Sequence, residues 1–166
     1  MIRILARWRV ALGFVAALVA LVLARPTWGS WQLGVIVAAC GEGLRIWAAG
    51  HIEKGLEITR SGPYRFLRHP LYTGSAILGC GFVVAARDLT VAVMTLAYLG
   101  LTLVAAMKSE EAHLDEKFDG AYSAYRDGRV APVVRRFSIE RAMRNREYQA
   151  VAGVLAAFLW LAYRVR

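Results

Sequence analysis

The residues best suited to chemistry lie in one polar stretch, residues 56–74, between two apolar runs. Its Ser-Gly-Pro-Tyr segment at 61–64 has the composition of a tight turn, because proline fixes φ and glycine permits unusual backbone angles. His69 precedes Pro70, and a residue before proline avoids the helical region, so a helix is expected to start at Pro70. The free amides at the start of such a helix, with arginines nearby, suit a carboxylate or another anionic group.

Aromatic and acidic side chains add to this chemistry. The faces of Tyr64 and Tyr72 can stabilise a bound cation by roughly 0.5–2 kcal/mol. Glu110 and Glu111 follow later in the chain, and a carboxylate accepts strong hydrogen bonds from ammonium or hydroxyl groups. The alternative is that the arginines anchor the chain at a membrane interface and the tyrosines belong to an aromatic belt.

Two charged residues lie inside the second apolar run. Glu42 and Arg45 are three residues apart, so they can pair on one helix face. Charges at that depth are costly and usually face an interior. Either the pair holds helices together or it lines a substrate cavity, and we take Glu42, Arg45 and Arg68 as the candidate substrate-contacting residues.

Composition indicates the elements that must position these groups. The 166 residues are 58% hydrophobic, with long stretches nearly free of charge, and a small soluble fold cannot hide that much apolar surface. The net charge of +9 would also suit nucleic acid, but its distribution along the chain fits a bilayer better. Cys40 and Cys80 lack metal-ligand or redox spacing, so we expect buried free thiols. The three histidines are too scattered to predict a metal site.

Five apolar runs approach the length of about 20 residues that a transmembrane helix needs, at 8–24, 28–49, 71–86, 89–107 and 149–163. The fifth is short enough to be tilted or interfacial. The connections at 24–28 and 87–88 are so tight that they predict antiparallel hairpins. A cleaved signal peptide is an alternative for the first run, although that run is long for one.

The distribution of basic residues predicts the orientation. Sixteen lysines and arginines lie before the first run or in the two long loops, against four on the opposite side, which puts the N-terminus and both loops in the cytoplasm. The repeat of Leu114, Phe118, Tyr122 and Tyr125 predicts an amphipathic helix over 110–125, lying on lipid headgroups or acting as a lid.

We therefore predict an all-α, integral membrane bundle of about five transmembrane helices with a cytoplasmic amphipathic helix. It forms one domain, with a first hairpin at 1–50, a core at 51–132 and a basic linker with a C-terminal helix at 133–166. The expected partners are the bilayer and a lipophilic small molecule, with no nucleic acid and no obligate protein partner.

The polar stretch resembles the signature of the isoprenylcysteine carboxyl methyltransferase family and the related phospholipid methyltransferases. Its fixed elements are present here as Gly62-Pro63-Tyr64-Arg65, Arg68-His69-Pro70, Tyr72 and Gly74. The second block of the family, a Glu-Glu pair followed by leucine, phenylalanine and paired tyrosines, is matched by Glu110, Glu111, Leu114, Phe118, Tyr122 and Tyr125. The resemblance covers about residues 41–132.

This resemblance implies a methyltransferase in the bacterial cytoplasmic membrane that uses S-adenosylmethionine, with S-adenosylhomocysteine as product. The acceptor would be lipophilic and membrane-embedded, reacting through a carboxylate, an amine or a thiol. The implied cofactor-binding residues are Ile58, Thr59, Tyr64, His69, Pro70, Leu71, Tyr72, Glu110 and Glu111. The Gly-Glu-Gly segment at 41–43 is similar to a cofactor motif of the phospholipid branch, but helix packing explains it equally well. No catalytic residue is assigned.

Some positions depart from the family pattern. Asp119 replaces a usual glycine, and residues 129–132 match the usual ending only loosely. Ala106 stands where the prenylcysteine enzymes carry an arginine for the substrate carboxylate, which weighs against a prenylcysteine substrate. Two other functions stay open, namely an NADPH-dependent membrane reductase of the sterol-reductase type and a non-enzymatic membrane scaffold.

Overall fold

The structure is a computed structural model that describes residues 2–53, 55–118, 125, 127, 129 and 133–165. Within these residues the regular structure is entirely helical, which confirms the all-α prediction. The elements are α1 (Ile2–Leu23), α2 (Trp28–Ala49), a 3-10 turn (Gly62–Arg65), α3 (Pro70–Ala86), α4 (Leu89–Lys117), α5 (Ile139–Arg144) and α6 (Glu147–Tyr163).

Local chemistry explains where the helices begin and end. The side chain of Thr27 accepts a hydrogen bond from the amide of Ser30 and caps α2, while Asp88 Oδ1 accepts from the first amides of α4. Such caps each contribute about 1 kcal/mol. Pro70 opens α3, and Arg87, in the left-handed conformation with φ of 49°, ends it. The two short connections therefore carry their own stop and start signals.

The closest helix pair is α2 with α3, and glycine makes the approach possible. Gly34 and Gly41 on α2 meet Gly74 and Gly81 on α3, and each helix spaces its two glycines seven residues apart. A Cβ atom on Gly41 would lie 2.6 Å from the carbonyl oxygen of Gly74, and one on Gly81 would lie 2.7 Å from that of Gly34. The two backbones are thus in direct contact, as in small-residue packing of membrane helices.

The other helices assemble around this pair. Of the described residues, those of α1 pack mainly on α4, whereas α2 packs on α3 and α6. The short connection between α1 and α2 therefore does not make them the main packing partners of one another, because it fixes only where the next helix starts. The indole Nε1 of Trp31 donates a hydrogen bond of 2.9 Å to the carbonyl oxygen of Phe158, which joins α2 to α6.

Helix α4 continues beyond the predicted fourth span. The sequence predicts a span ending at residue 107 and a separate amphipathic helix over 110–125, but α4 is continuous through Lys117. No glycine or proline interrupts residues 101–117, so nothing stops the helix earlier. The predicted face at Leu114 therefore belongs to the last turns of α4, while Tyr122 and Asp119 lie outside the described residues.

The surface is strongly apolar. Helix α4 is the one described helix long and apolar enough to cross a membrane, and its apolar stretch is almost wholly exposed. Shorter apolar helices occupy Gly13–Leu23, Pro70–Ala86 and Glu147–Tyr163. Cys40 and Cys80 are free but exposed, so their predicted burial is wrong. An apolar neighbourhood in sequence does not imply an inward face when a helix is apolar on all sides.

The segment after residue 133 fastens the polar loop that follows α2. Arg141 Nε lies 2.7 Å from Glu53 Oε1, and Arg135 Nη1 lies 2.7 Å from Glu57 Oε1. Asn145 Nδ2 donates to the carbonyl oxygens of Ala49 and Ile52 at 2.9 and 3.1 Å. These contacts are long-range, and they hold the loop against α5.

The glycine contact predicts opposite effects at two neighbouring positions. Gly41→Ala should destabilise the protein by about 1–3 kcal/mol, because the added methyl group collides with the backbone of α3. Gly43→Ala meets open space and should be neutral or stabilising by up to about 1 kcal/mol. Thermal unfolding of the two variants in detergent tests this, and equal melting temperatures would contradict the packing.

The bond from Arg141 lowers the pKa of Glu53, so the folded state favours the charged carboxylate. A lowered folded-state pKa gives a stabilising contribution that is present above the ordinary carboxyl pKa and lost as the pH falls through the folded-state value. Glu53→Gln should therefore lower the melting temperature at pH 7 and have a smaller effect below about pH 4. Glu140→Gln, at an exposed position of α5, is the matched control. An equal loss at both pH values would contradict this account.

Candidate functional site

The two motif blocks meet at one end of the bundle. His69 is the N-cap residue of α3 and Glu111 lies on α4, and the ring Nε2 and the carboxylate Oε1 are 2.9 Å apart, although the residues are 42 positions apart in sequence. The rings of His69 and Tyr72 lie 5.7 Å apart on the same turn. A bond between an α3 cap and the last third of α4 therefore fixes the orientation of the His69 ring.

Two adjoining cavities lie beside this bond. One has a volume of about 250 Å³ and the other about 490 Å³, and both are lined by Ile52, Tyr64, Arg68, His69 and Glu110. These volumes together suit a ligand of cofactor size. The shared lining makes the cavities parts of one polar region between the loop and α4.

The predicted cofactor residues distribute over both cavities. Ile58 and Thr59 line the smaller one, and Pro70, Leu71 and Tyr72 line the larger one. Glu111 lies behind this lining, where it contacts His69. Of the candidate substrate residues, Arg45 and Arg68 line the larger cavity, whereas Glu42 lies against Arg45. The structure thus brings the two blocks together, while the role of each residue stays a prediction.

The hydroxyl group of Tyr64 has no hydrogen-bond partner among the described residues. Its side chain is buried and lines both cavities, yet the buried hydroxyl has no hydrogen-bond partner within the described part of the chain. The backbone carbonyl of Tyr64 accepts a bond of 2.7 Å from the Tyr125 hydroxyl. Burial, with a smaller effect of the Glu110 charge, raises the pKa of Tyr64, so the phenol stays protonated. A buried hydroxyl without a partner is costly, and a bound ligand would remove that cost.

Arg45 forms the other polar centre. Its Nε lies 2.7 Å from Glu147 Oε1 and 3.6 Å from Glu42 Oε2, and its Nη1 donates to the Ser75 hydroxyl. Glu42 and Glu147 are each more than nine-tenths buried. The expected Glu42–Arg45 pair is therefore present, but the shorter contact is to α6. This arrangement joins α2, α3 and α6 at the larger cavity.

The sequence analysis does not include Glu147 among the candidate site residues. It is the first residue of α6, just before the run that we placed at 149–163, and it lines the larger cavity. A single acid at the start of an apolar helix was the available signal, although it equally suits the positive end of the helix dipole. Its partner is 102 residues away, so spacing alone does not reveal the pair.

The Gly-Glu-Gly segment at 41–43 is explained by packing. Gly41 contacts α3, and a Cβ atom on Gly43 would meet nothing within 4 Å. Neither glycine lines the two polar cavities. Of the two alternatives for this segment, the helix contact is the one that the structure shows for Gly41.

The sequence matches the model of a known protein family. The model of the phospholipid methyltransferase family matches residues 8–121, which include both motif blocks as far as Phe118. The chain belongs to the phospholipid methyltransferase family. It is a member of a membrane-associated methyltransferase family, and the expected family resemblance is confirmed. The match ends before α5 and α6.

Two curated bacterial proteins are similar to this family member. One is the nickel-cobalt-cadmium resistance protein NccN of Alcaligenes xylosoxydans xylosoxydans, 30% identical over 123 residues. The other is the cobalt-zinc-cadmium resistance protein CzcN of Cupriavidus metallidurans, 34% identical over 125 residues. Each match covers 67% of this chain and 55% of the relative, so the chain spans about half the length of these relatives. No solved structure matches the chain.

The contact between Arg45 and Glu147 predicts a large effect of one substitution. Glu147→Ala leaves the half-buried guanidinium without its nearest counter-charge, and breaking a buried pair from one side costs up to about 3–5 kcal/mol. We expect a clear fall in the melting temperature in detergent. Glu140→Ala, which removes an exposed acid from α5, should change it little. Equal melting temperatures for the two variants would show that the pair does not stabilise the fold.

Proposed function

We propose that this protein is an integral membrane enzyme that transfers the methyl group of S-adenosylmethionine to a lipophilic acceptor. The single observation that carries the proposal is the meeting of the two family motif blocks, through His69 and Glu111, around adjoining cavities. Membership of a methyltransferase family supplies the reaction class.

The lining residues fit the chemical groups of this cofactor. The buried phenol of Tyr64 offers a donor without a partner in the described residues, and Glu110 offers a carboxylate to ribose hydroxyls or to the ammonium group. The first amides of α3, beside Pro70, suit the cofactor carboxylate. The rings of Tyr72 and His69 would stand near a sulfonium cation.

The chain itself would act by binding, orienting and excluding water. When bound, the cofactor supplies an activated methyl group, and no covalent protein nucleophile is required. The contact with Glu111 holds the His69 ring in place, and the buried Tyr64 shields one wall of the site from solvent. Alignment of donor and acceptor then supplies most of the acceleration.

We infer further that α1, α2, α3, α4 and α6 all cross the bilayer of a bacterial cytoplasmic membrane, with the site at the cytoplasmic interface. The shortest of them, α3 and α6, have 17 residues each and measure about 26 Å, close to the roughly 30 Å hydrocarbon thickness. In the sequence, sixteen of the 21 lysines and arginines lie before the first apolar run or in the two long loops, which the orientation rule assigns to the cytoplasmic side. The exposed apolar surface of α4 supports the same placement.

Binding of S-adenosylhomocysteine, measured by calorimetry on detergent-solubilised protein, tests the site. Glu110→Gln should weaken binding by roughly 10- to 100-fold, as expected for a lost hydrogen bond to a charged group of about 1.5–3 kcal/mol. Tyr64→Phe should weaken it by about 2- to 10-fold, and His69→Ala should weaken it with the protein still folded. Glu116→Gln, at an exposed position of the same helix as Glu110, is the matched control.

The same titration separates the rival functions. A sterol-type reductase would bind NADPH in place of S-adenosylhomocysteine, and a scaffold would bind neither. The proposal fails if NADPH binds preferentially, or if the affinity for S-adenosylhomocysteine is unchanged in all three site variants.

A further inference from the structure

Residues 133–146, which precede α6, form a surface that is both apolar and basic. We refer to them as the interface segment. Exposed side chains of the two kinds occur side by side in it, among them Val134, Ile139, Met143, Arg136, Arg144 and Arg146. The segment lies beyond the part of the sequence that the family model matches, and the site described above uses little of it.

Hydrogen bonds and ion pairs fix the level of the interface segment relative to the helices. Asn145 Nδ2 donates to the carbonyl oxygen of Ala49, the last residue of α2, and α6 starts two residues after Asn145. Arg135 and Arg141 pair with carboxylates of the loop that follows α2. The segment therefore lies beside the ends of two helices that we place across the bilayer, at the level where hydrocarbon meets the head groups.

Helix α5, within this segment, is separate from α6. Arg146 lies between the two helices in the left-handed conformation, with φ of 60°, which interrupts the right-handed helical path. The axis of α6 is therefore not continued by α5. A short helix joined in this way to the end of a transmembrane helix can lie along the membrane surface.

The exposed side of α5 has an apolar row and a charged row. Ile139 and Met143 are four residues apart and share one row, while Glu140 and Arg144 share the next. Ile139 is 71% exposed and Met143 is 52% exposed, whereas Ala142 is buried against the protein. This pattern is typical of a helix that lies in the membrane interface, with its apolar row below the head groups and its charged row in water.

The arginines of the interface segment are of two kinds. Arg135 and Arg141 are held by the ion pairs to the loop. Arg136 and Arg146 are exposed and pair with no acidic side chain in the part of the chain that the structure describes. Arginines at a membrane surface attract the phosphates of anionic lipids, and each contributes about fivefold in affinity. The two exposed arginines are therefore available for lipid head groups.

The interface segment also borders the candidate site. Asn145 and Arg146 line the larger cavity, and the bond from Asn145 to the carbonyl oxygen of Ile52 holds the loop that lines both cavities. A head group bound at Arg146 would therefore lie at the rim of the larger cavity. Lipid bound to this segment would contact the same loop and helix ends that shape the site.

We propose that the interface segment is a binding surface for anionic phospholipids of the inner leaflet. Val134, Ile139 and Met143 enter the apolar side of the interface, and Arg136 and Arg146 contact the lipid phosphates. An acidic protein would also match the charge, but the apolar row beside the ends of two transmembrane helices favours lipid. The inference rests on the membrane placement under the proposed function and does not depend on methyl transfer.

The first measurement is the depth of single side chains. In a background of Cys40→Ser and Cys80→Ser, one nitroxide label is placed by Ile139→Cys, Glu140→Cys or Val93→Cys, in nanodiscs of phosphatidylglycerol and phosphatidylcholine. Val93 is exposed on α4 and serves as the reference for hydrocarbon. We expect the labels at Ile139 and Val93 to be relaxed mainly by oxygen, and the label at Glu140 mainly by a water-soluble nickel chelate.

The outcomes of the depth measurement separate the inference from the membrane placement. Equal access of the nickel chelate to Ile139 and Glu140, with Val93 in hydrocarbon, would overturn the proposal and leave the placement standing. A label at Val93 that is open to the chelate would overturn both. Binding of S-adenosylhomocysteine by the same preparation decides the proposed reaction independently of either result.

The second measurement is the preference for an anionic head group. Protein is released from nanodiscs that contain equal parts of phosphatidylglycerol and phosphatidylcholine with identical chains, and native mass spectrometry counts the lipids that it retains. We expect the wild type to retain phosphatidylglycerol preferentially. The double variant Arg136→Gln/Arg146→Asn should lower this preference by about fivefold or more. Asparagine is chosen at 146 because it tolerates the left-handed conformation.

The matched control removes two arginines from the opposite end of the bundle. Arg87, like Arg146, is left-handed, so Arg25→Gln/Arg87→Asn makes the same change of charge and backbone type. We expect this variant to keep the lipid preference of the wild type, and melting temperatures verify that both variants fold. An equal loss in the two variants would overturn the proposal. It would also fail if the wild type showed no preference for phosphatidylglycerol, which is the result expected for an acidic protein partner.

Discussion

The direct backbone contact between α2 and α3 is the constraint on which the rest of the structure depends. Glycine at 34, 41, 74 and 81 lets the two helices approach so closely that a Cβ atom at any of these positions would collide with the backbone of the other helix. This approach brings Arg45 within hydrogen-bonding reach of Ser75 and fixes both ends of the polar loop between the helices. Every side chain of the candidate site lies on this loop, at one of its two ends, or on a helix that packs against α2 or α3.

A buried charged group is stable only when an oppositely charged partner lies beside it. In the candidate site, these partners come from helices that are distant in sequence. Arg45 on α2 forms an ion pair with Glu147 on α6, and His69 at the start of α3 contacts Glu111 on α4. The Tyr64 hydroxyl differs, because it is buried without a partner in the described part of the chain. Arg45 thus has counter-charges close by, whereas the buried phenol of Tyr64 has neither a counter-charge nor a hydrogen-bond partner among the described residues.

The C-terminal segment completes the polar region of the candidate site. Asn145 and Arg141 fasten the loop after α2, and Glu147 and Gln149 of α6 line the larger cavity. This segment lies beyond the region matched to the phospholipid methyltransferase family. In the function proposed here, the family region would hold most of the cofactor contacts, and the C-terminal helix would form one wall of the larger cavity.

The sequence by itself determined the helical class, most helix boundaries and the two motif blocks, because proline, capping residues and family motifs act over a few neighbouring positions. The start of α3 at Pro70 and the cap at Asp88 are examples. Only the tertiary structure decided that α1 packs on α4, that α4 runs through Lys117, that Arg45 meets Glu147, and that Cys40 and Cys80 are exposed. Helices that are apolar on nearly every side carry no periodic signal for the inward face, so the choice of partner follows from shape, through contacts between residues far apart in the chain.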